Sequence, residues 1–358
     1  MLVPVHLATP KRPAVGEAEA FYRQVFAAYC KTFGVEHLEP RVQAELGAWS
    51  GTVLRQPLSA HRAYLPSRPS VCIDLGHRSA PAVRLCVDCR DPLLTPWENV
   101  QLARRTFAAQ LQDGAGLFEQ ICELVFQEPD WFQNPYVKYL HPALEVLEPG
   151  RVRTSAYWNL GAGTRDELWD RAVALVRAVG GDVEREERLR EAAGDRVAPE
   201  LVGHTIDPGK PRVLKLYHVL YGYDVQALDD LFGDDDYPGR EQVLARIIAG
   251  FPMVHPENSR WIASLYHDLG SCRTAGLKLH TYLMASAAGH TVRMGEAEEL
   301  AAAVTGNAVV VPEHLTLADG GQLRIRPSVL SYMFRSGQGM TGATLYADFA
   351  QVGHPAEP

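Results

Sequence analysis

Five times along the chain, two short strand-like segments flank a turn, and the second segment of each pair alternates polar with apolar residues. These second segments read AVRLCV, RTSAYW, VLKLYH, GLKLHT and GATLYA. Each carries a hydrophilic residue at one place: Arg84, Ser155, Lys215, Lys278 and Thr344. Two residues later come Cys86, Tyr157, Tyr217, His280 and Tyr346. Side chains two apart on a strand share a face. One face of each ribbon is therefore apolar, and the other bears cations, hydroxyls and rings. The units recur roughly every 60–70 residues, the loose period of a supersecondary unit. An α+β protein with several unrelated hairpins is the alternative reading of the same pattern.

The pairs span 70–89, 143–160, 201–222, 261–284 and 326–349, with Glu-Pro-Gly, Asp-Pro-Gly and Ser-Gly-Gln-Gly as turns in the second, third and fifth. A helical stretch at 17–33 precedes them. Further helical runs fall at 99–112, 116–127, 164–181, 225–232 and 240–248, with Thr164 as an N-cap and Gly180 near a C-terminus. The expectation is one α/β domain over 1–358. Residues 1–69 form a helical N-terminal segment, and 70–349 form five hairpin–helix units. Ten antiparallel strands make a flat sheet or a closed barrel, and only the barrel removes both raw edges. In a barrel, Val83, Leu85, Leu214, Leu216, Leu277 and Leu279 face outward against helices. The polar set faces inward and forms a chamber for an anionic ligand.

Composition removes other classes. A formal net charge of −8 argues against a bulk-basic nucleic-acid binder. No apolar run approaches a membrane span, and the N-terminus has no apolar core of a signal peptide. Six cysteines in 358 residues do not make a disulfide scaffold, so a reducing cytoplasm is the expected compartment.

With ID…RVLKLY and PAVRLCVDCRDP among its repeated hairpins, the chain resembles the aromatic prenyltransferases of the ABBA type. The nearest subgroup is the dimethylallyltryptophan synthase-like enzymes, with the cyanobactin peptide prenyltransferases as more distant relatives. The resemblance covers about 70–349. It implies a PT barrel of ten antiparallel strands ringed by helices, whose lumen binds an allylic diphosphate and an aromatic acceptor. It implies diphosphate-binding roles for Arg84, Lys215, Lys278 and His280, the last standing where a tyrosine is expected. Tyr157, Tyr217, Tyr346 and Tyr332 are the implied tyrosine shield. No cofactor is required, magnesium being an optional aid. The partners are dimethylallyl or geranyl diphosphate and an aromatic small molecule or peptide, with neither nucleic acid nor membrane. Three positions depart from the family pattern: Val213 stands where an arginine is usual, with Arg212 one residue off; Ser155 replaces a lysine; and no glutamate matches on the first strand, where Asp74 is the nearest carboxylate.

The chemistry explains the residue types. Ionising an allylic carbon–oxygen bond builds charge on pyrophosphate, which fixed cations stabilise. The allyl cation needs ring faces and protection from water. The arenium intermediate loses a proton to a base, and parity places Asp74 opposite Val71, Ile73 and Leu75, so Asp74 is the candidate. Each residue also has a structural alternative. Lys215 would lie along an exposed face, Arg84 would pair with Asp88, Asp74 would cap a turn, His280 would be a hydrogen-bonded structural histidine, and Tyr346 and Tyr332 would be ordinary sheet tyrosines.

Other signals are weaker. LDDLFGDDDYPG resembles magnesium-binding aspartate clusters but has no second acidic motif. CVDC at 86–89 lacks a second C-x-x-C for zinc. SGQGMTG lacks the Lys-Ser/Thr of a P-loop. The rival functions are a non-catalytic ligand-binding barrel and an interaction scaffold, and the scaffold predicts exposed Lys215 and Lys278.

Overall fold

The computed structural model describes residues 15–53, 70–74, 83–86, 94–111, 115–134, 137, 139–207, 212–221, 225–233, 236–250, 261–283, 293–306 and 310–351. Apolar–polar alternation yields strands where it was expected. These are β1 (Ser70–Asp74), β2 (Val83–Cys86), β3 (Leu140–Glu148), β4 (Arg151–Asn159), β5 (Val197–Ile206), β6 (Val213–Leu220), β7 (Trp261–Asp268), β8 (Arg273–Tyr282), β9 (His314–Thr316), β10 (Gln322–Arg335) and β11 (Gly339–Gln351). The helices are α1 (Val15–Thr32), α2 (Glu39–Val53), α3 (Pro96–Gln110), α4 (Ala115–Val125), α5 (Arg165–Val179), α6 (Val183–Ala193), α7 (Val225–Phe232), α8 (Arg240–Gly250) and α9 (Met294–Thr305). Helix α2 falls in the helical N-terminal segment expected over 1–69, whereas α6, α9 and the short β9 were not legible in the sequence.

Every ladder is antiparallel, in the order β1-β11-β10-β8-β7-β6-β5-β4-β3-β2, with β9 added beside β10. The two ends of that path, β1 and β2, lie against each other, which closes the sheet. A side chain reports the same closure. Arg84 on β2 reaches Tyr346 on β11, far along the path, and its guanidinium sits 5.4 Å from that ring's centroid. Consecutive hairpins place their tight turns at one end, and the helical links leave from the other.

The barrel wall separates two apolar clusters. The large one lies outside, where Leu214, Leu216, Leu265, Leu277, Leu279 and Leu330 pack against helix residues such as Phe107, Phe118, Trp169 and Phe232. The small one lies inside and holds Ala143, Tyr157, Tyr217, Val219 and Ile262. The helices dock through capped ends. Thr164 and Glu167 form a reciprocal capping box on α5, and Gly180 closes it in the left-handed region at φ 79°. No helix among the described residues is long and apolar enough to cross a membrane.

One expected site residue falls on the other side of the wall. Tyr332 is fully buried in the outer cluster beside Phe334 and Leu279, so it does not face the lumen. Its position in β10 has the parity of Leu330 and Phe334, whereas Ser331 and Met333 point inward. The reading of Tyr332 as part of the shield is corrected accordingly.

Candidate active site

Inward-facing positions line a cavity of about 840 Å³ within the barrel. At the turn end stand Arg151, Asp207, Asp268 and Arg335. Arg151 pairs with Asp207 at 2.7 Å, and Arg153 pairs with Glu145 directly across the β3–β4 ladder. Burial opposes the Arg153 charge, but the adjoining Glu145 carboxylate outweighs it and raises the guanidinium pKa.

Deeper in, three cations converge from three strands. Lys215 Nζ of β6 donates to Thr205 Oγ1 at 2.8 Å. Lys278 Nζ of β8 donates to Tyr346 Oη at 3.1 Å and Thr344 Oγ1 at 3.3 Å. Arg84 of β2 donates to Tyr157 Oη at 2.7 Å and Tyr346 Oη at 3.5 Å. Each also lies near a tyrosine face: Arg84 over Tyr157 at 5.7 Å, Lys215 over Tyr266 at 5.2 Å and Lys278 over Tyr346 at 5.3 Å. Enclosure in the barrel is the main cause that pushes the Lys215 ammonium down to about 8; Tyr157 opposes it, and the charges of Arg153, Lys278 and Arg84 add to it. Lys278 and Arg84 thus act on Lys215 as repelling neighbours.

Behind the cations runs an aromatic band. His141 stacks on Tyr157 at 5.0 Å, Tyr157 meets Tyr217 edge-on at 6.0 Å, and Tyr217 lies 5.6 Å from His280. Burial raises the Tyr217 phenol well above its ordinary value, so it stays neutral. Val219, Ile262 and Leu201 pack against the band. Tyr157 and Tyr217 come from β4 and β6, and the intervening strand contributes Gly203. A Cβ there would lie 3.0 Å from Tyr217 Cε2 and 3.1 Å from Tyr157 Cδ1. Gly203→Val is expected to force the rings apart and lower turnover about 10²-fold, the scale of an ångström-size misplacement. Steady-state kinetics beside the far-ultraviolet spectrum checks this.

The structure thus brings Arg84, Lys215, Lys278, Tyr157, Tyr217, Tyr346 and His280 around one cavity. His280 has a different character from the one expected. Burial first, then Lys278, Lys215 and Arg84, hold its pKa well below the ordinary value, so it is a neutral ring and no cation for phosphate. Asp74 pairs in register with Thr344, and its side chain lies outside the described residues, as does the turn pairing expected of Arg84 with Asp88. Lys215 and Lys278 are enclosed, contrary to the scaffold reading. In the acidic stretch, Asp230 pairs with Arg196 at 2.7 Å, while Asp234 and Asp235 lie outside the described residues, as does most of CVDC. Sequence reasoning missed Glu145, Arg153, Tyr266, Gly203 and Ser264. Four of them sit on the first strand of a pair, whereas the recurring pattern was traced along second strands. Arg153 had a signal, sharing parity with Ser155.

No protein-family model matches the chain, and no curated protein matches it in sequence. Solved structures do match in shape. The prenyltransferase PriB, in a ternary complex with L-tryptophan and dimethylallyl thiolodiphosphate, is 15% identical with a TM-score of 0.65, over 92% of this chain and 96% of that one. The 6-dimethylallyltryptophan synthase of Micromonospora olivasterospora is 16% identical with a TM-score of 0.64, over 92% and 97%. The 5-dimethylallyltryptophan synthase of Streptomyces coelicolor is 14% identical with a TM-score of 0.66, over 92% and 96%. Ten antiparallel strands closed around a polar lumen and ringed by helices, in the same arrangement as these enzymes, give this chain the ABBA prenyltransferase fold, the PT barrel.

Proposed function

We propose that the chain is an aromatic prenyltransferase, moving a dimethylallyl or longer prenyl group from its diphosphate to an aromatic acceptor. The observation that carries this reading is the convergence of Arg84, Lys215 and Lys278 on a wall of tyrosines inside the barrel cavity. Arg84, Lys215 and Lys278 stand at the level of the rings, and their charge suits an allylic diphosphate. The acceptor of this reading is an indole such as tryptophan or a tryptophan-containing peptide. Tryptophan also accompanies the dimethylallyl analogue in the PriB structure.

In this mechanism the allylic carbon–oxygen bond breaks, and pyrophosphate leaves into the field of the three cations. Tyr157, Tyr217 and Tyr346 present ring faces to the cation and keep water away. An acceptor ring carbon forms the new bond, and the displaced ring proton passes to a base, for which Asp74 is the candidate by register with Thr344. Protein cations supply the neutralising charge, so magnesium is an optional aid. The expected compartment is the cytoplasm.

The test is incubation with dimethylallyl and geranyl diphosphates plus a panel of indoles, amino acids and tryptophan peptides, read by mass and by pyrophosphate release. Prenylated product supports the reading, whereas saturable binding without product supports a non-catalytic barrel. The Lys215 titration adds a signature. Below pH 8 the amine is charged before the diphosphate arrives; above it, binding must take up a proton. Diphosphate affinity is therefore expected to be flat below pH 8 and to fall about tenfold per unit above it, as calorimetry against a thiolodiphosphate would measure.

A further inference from the structure

We propose that Ser264 and Ser331 hold His280 as a neutral ring with both nitrogens masked, so that the allyl cation meets its π face and never a lone pair. This inference rests on the prenyl-transfer reading above. Ser264 comes from β7 and Ser331 from β10, the two strands that flank His280 on β8. Both serines are fully buried, and the ring itself borders the lumen. Nε2 lies 3.1 Å from Ser264 Oγ, and Nδ1 lies 2.8 Å from Ser331 Oγ.

The surrounding bonds choose the tautomer. Ser264 Oγ also lies 3.4 Å from the Lys278 carbonyl oxygen, which can only accept. We assign the Ser264 hydroxyl, which also meets the Tyr266 phenol, as donor to that carbonyl and acceptor from His280 Nε2–H. Nδ1 is left as the acceptor, and the Ser331 hydroxyl donates to it. An imidazolium would need Ser331 to accept instead and would add a fourth positive charge beside Lys278, Lys215 and Arg84.

The masking matters because of what the ring faces. A bare imidazole nitrogen is a stronger nucleophile than an aromatic carbon. With Nδ1 exposed, the allylic carbon–oxygen bond would break, pyrophosphate would leave and a nitrogen–carbon bond would form. The Nε2 proton would pass to pyrophosphate, leaving a prenylated, inactive protein. A serine hydroxyl in the ring plane occupies that lone pair. The ring, its centroid 5.6 Å from that of Tyr217, stays part of the aromatic band. Ser264 and Ser331 are thus positioning residues acting through His280.

The experiment compares the unaltered chain, Ser331→Ala, Ser331→Thr and the double variant Ser331→Ala with His280→Phe. Each is incubated with dimethylallyl diphosphate, with and without acceptor. The expected result is one dimethylallyl adduct on His280 in Ser331→Ala, located by peptide mass spectrometry, with activity decaying as it accumulates. Ser331→Thr keeps a hydroxyl and is expected to stay adduct-free, as is the double variant. Ring-nitrogen NMR is expected to show the Nε2–H tautomer in the unaltered chain, and the Nδ1–H tautomer there would overturn the inference. A folded Ser331→Ala that turns over at the unaltered rate without adduct overturns it too, leaving the transferase reading intact. Absence of pyrophosphate release from the unaltered chain would overturn both.

Discussion

The double variant Lys215→Ala, Lys278→Ala is expected to lose about 10⁴-fold in turnover, since a single group stabilising transition-state charge is worth roughly 10²–10³. The loss belongs in ionisation and diphosphate binding together, because both amines line the cavity in which the proposed mechanism places the leaving group. The fold is expected to survive. The two ammonium groups repel each other and Arg84, and enclosure depresses Lys215 to about 8. That value lies below an unfolded lysine's, so the folded state carries a penalty at neutral pH. The penalty is fully present below pH 8 and is relieved as pH rises from 8 toward the unfolded value near ~10.4. Stability of the unaltered chain is therefore expected to increase across that window, and the double variant is expected to melt no lower than the unaltered chain at pH 7. Pyrophosphate release and a melting curve on the same sample read both effects. Unchanged turnover would remove the mechanism.

The largest stability effect is expected on the outside of the wall. Glu186 of α6 is fully buried and accepts from His218 Nε2 of β6 and His267 Nε2 of β7, each at 2.8 Å. Trp169 of α5 covers His218 at 5.4 Å. Burial alone would raise the Glu186 carboxyl, but the two histidines outweigh it and hold it at about 2. Glu186→Ala leaves two buried imidazoles without their acceptor, and their Nδ1 atoms have no partner among the described residues. Breaking a buried polar cluster at its centre costs about 3–5 kcal/mol. The depressed carboxyl contributes stability above its unfolded pKa, and that contribution is lost as pH falls from there through about 2. Denaturant unfolding at pH 7 and across the acid range measures both. Turnover per folded molecule is expected to be unchanged, since the cluster faces α6 and not the lumen. A variant within 1 kcal/mol of the unaltered chain would contradict this account.

Strand alternation is a local property, and it made the barrel legible. Lys215 and Tyr217 share one face of β6 and Leu214 and Leu216 the other in any strand, whatever surrounds it. Arg84, Lys278, Tyr157 and Tyr346 followed by the same parity. Tyr332 failed because parity assigns a residue to a face only once one member of the strand is anchored, and β10 carries serines inward and a phenol outward. Helix α6 failed for a related reason. Its sequence, VEREERLREAA, buries Arg185 and Glu186 along with Leu189, so no apolar stripe announces it.

What the chain alone determined was the number of ribbons, their two unlike faces and the kind of charge on the inner one, because these follow from the geometry of consecutive residues. Only the tertiary structure decided which residues meet across strands far apart in sequence. It set Arg84 of β2 against Tyr346 of β11, cleared room for two rings over Gly203, and set His280 between Ser264 and Ser331, converting a nominal cation into a neutral wall. Those outcomes depend on the pairing and closure of the sheet. Closure brings separate strands within hydrogen-bond reach and removes bulk water, and with both changes it alters the charge that a side chain carries.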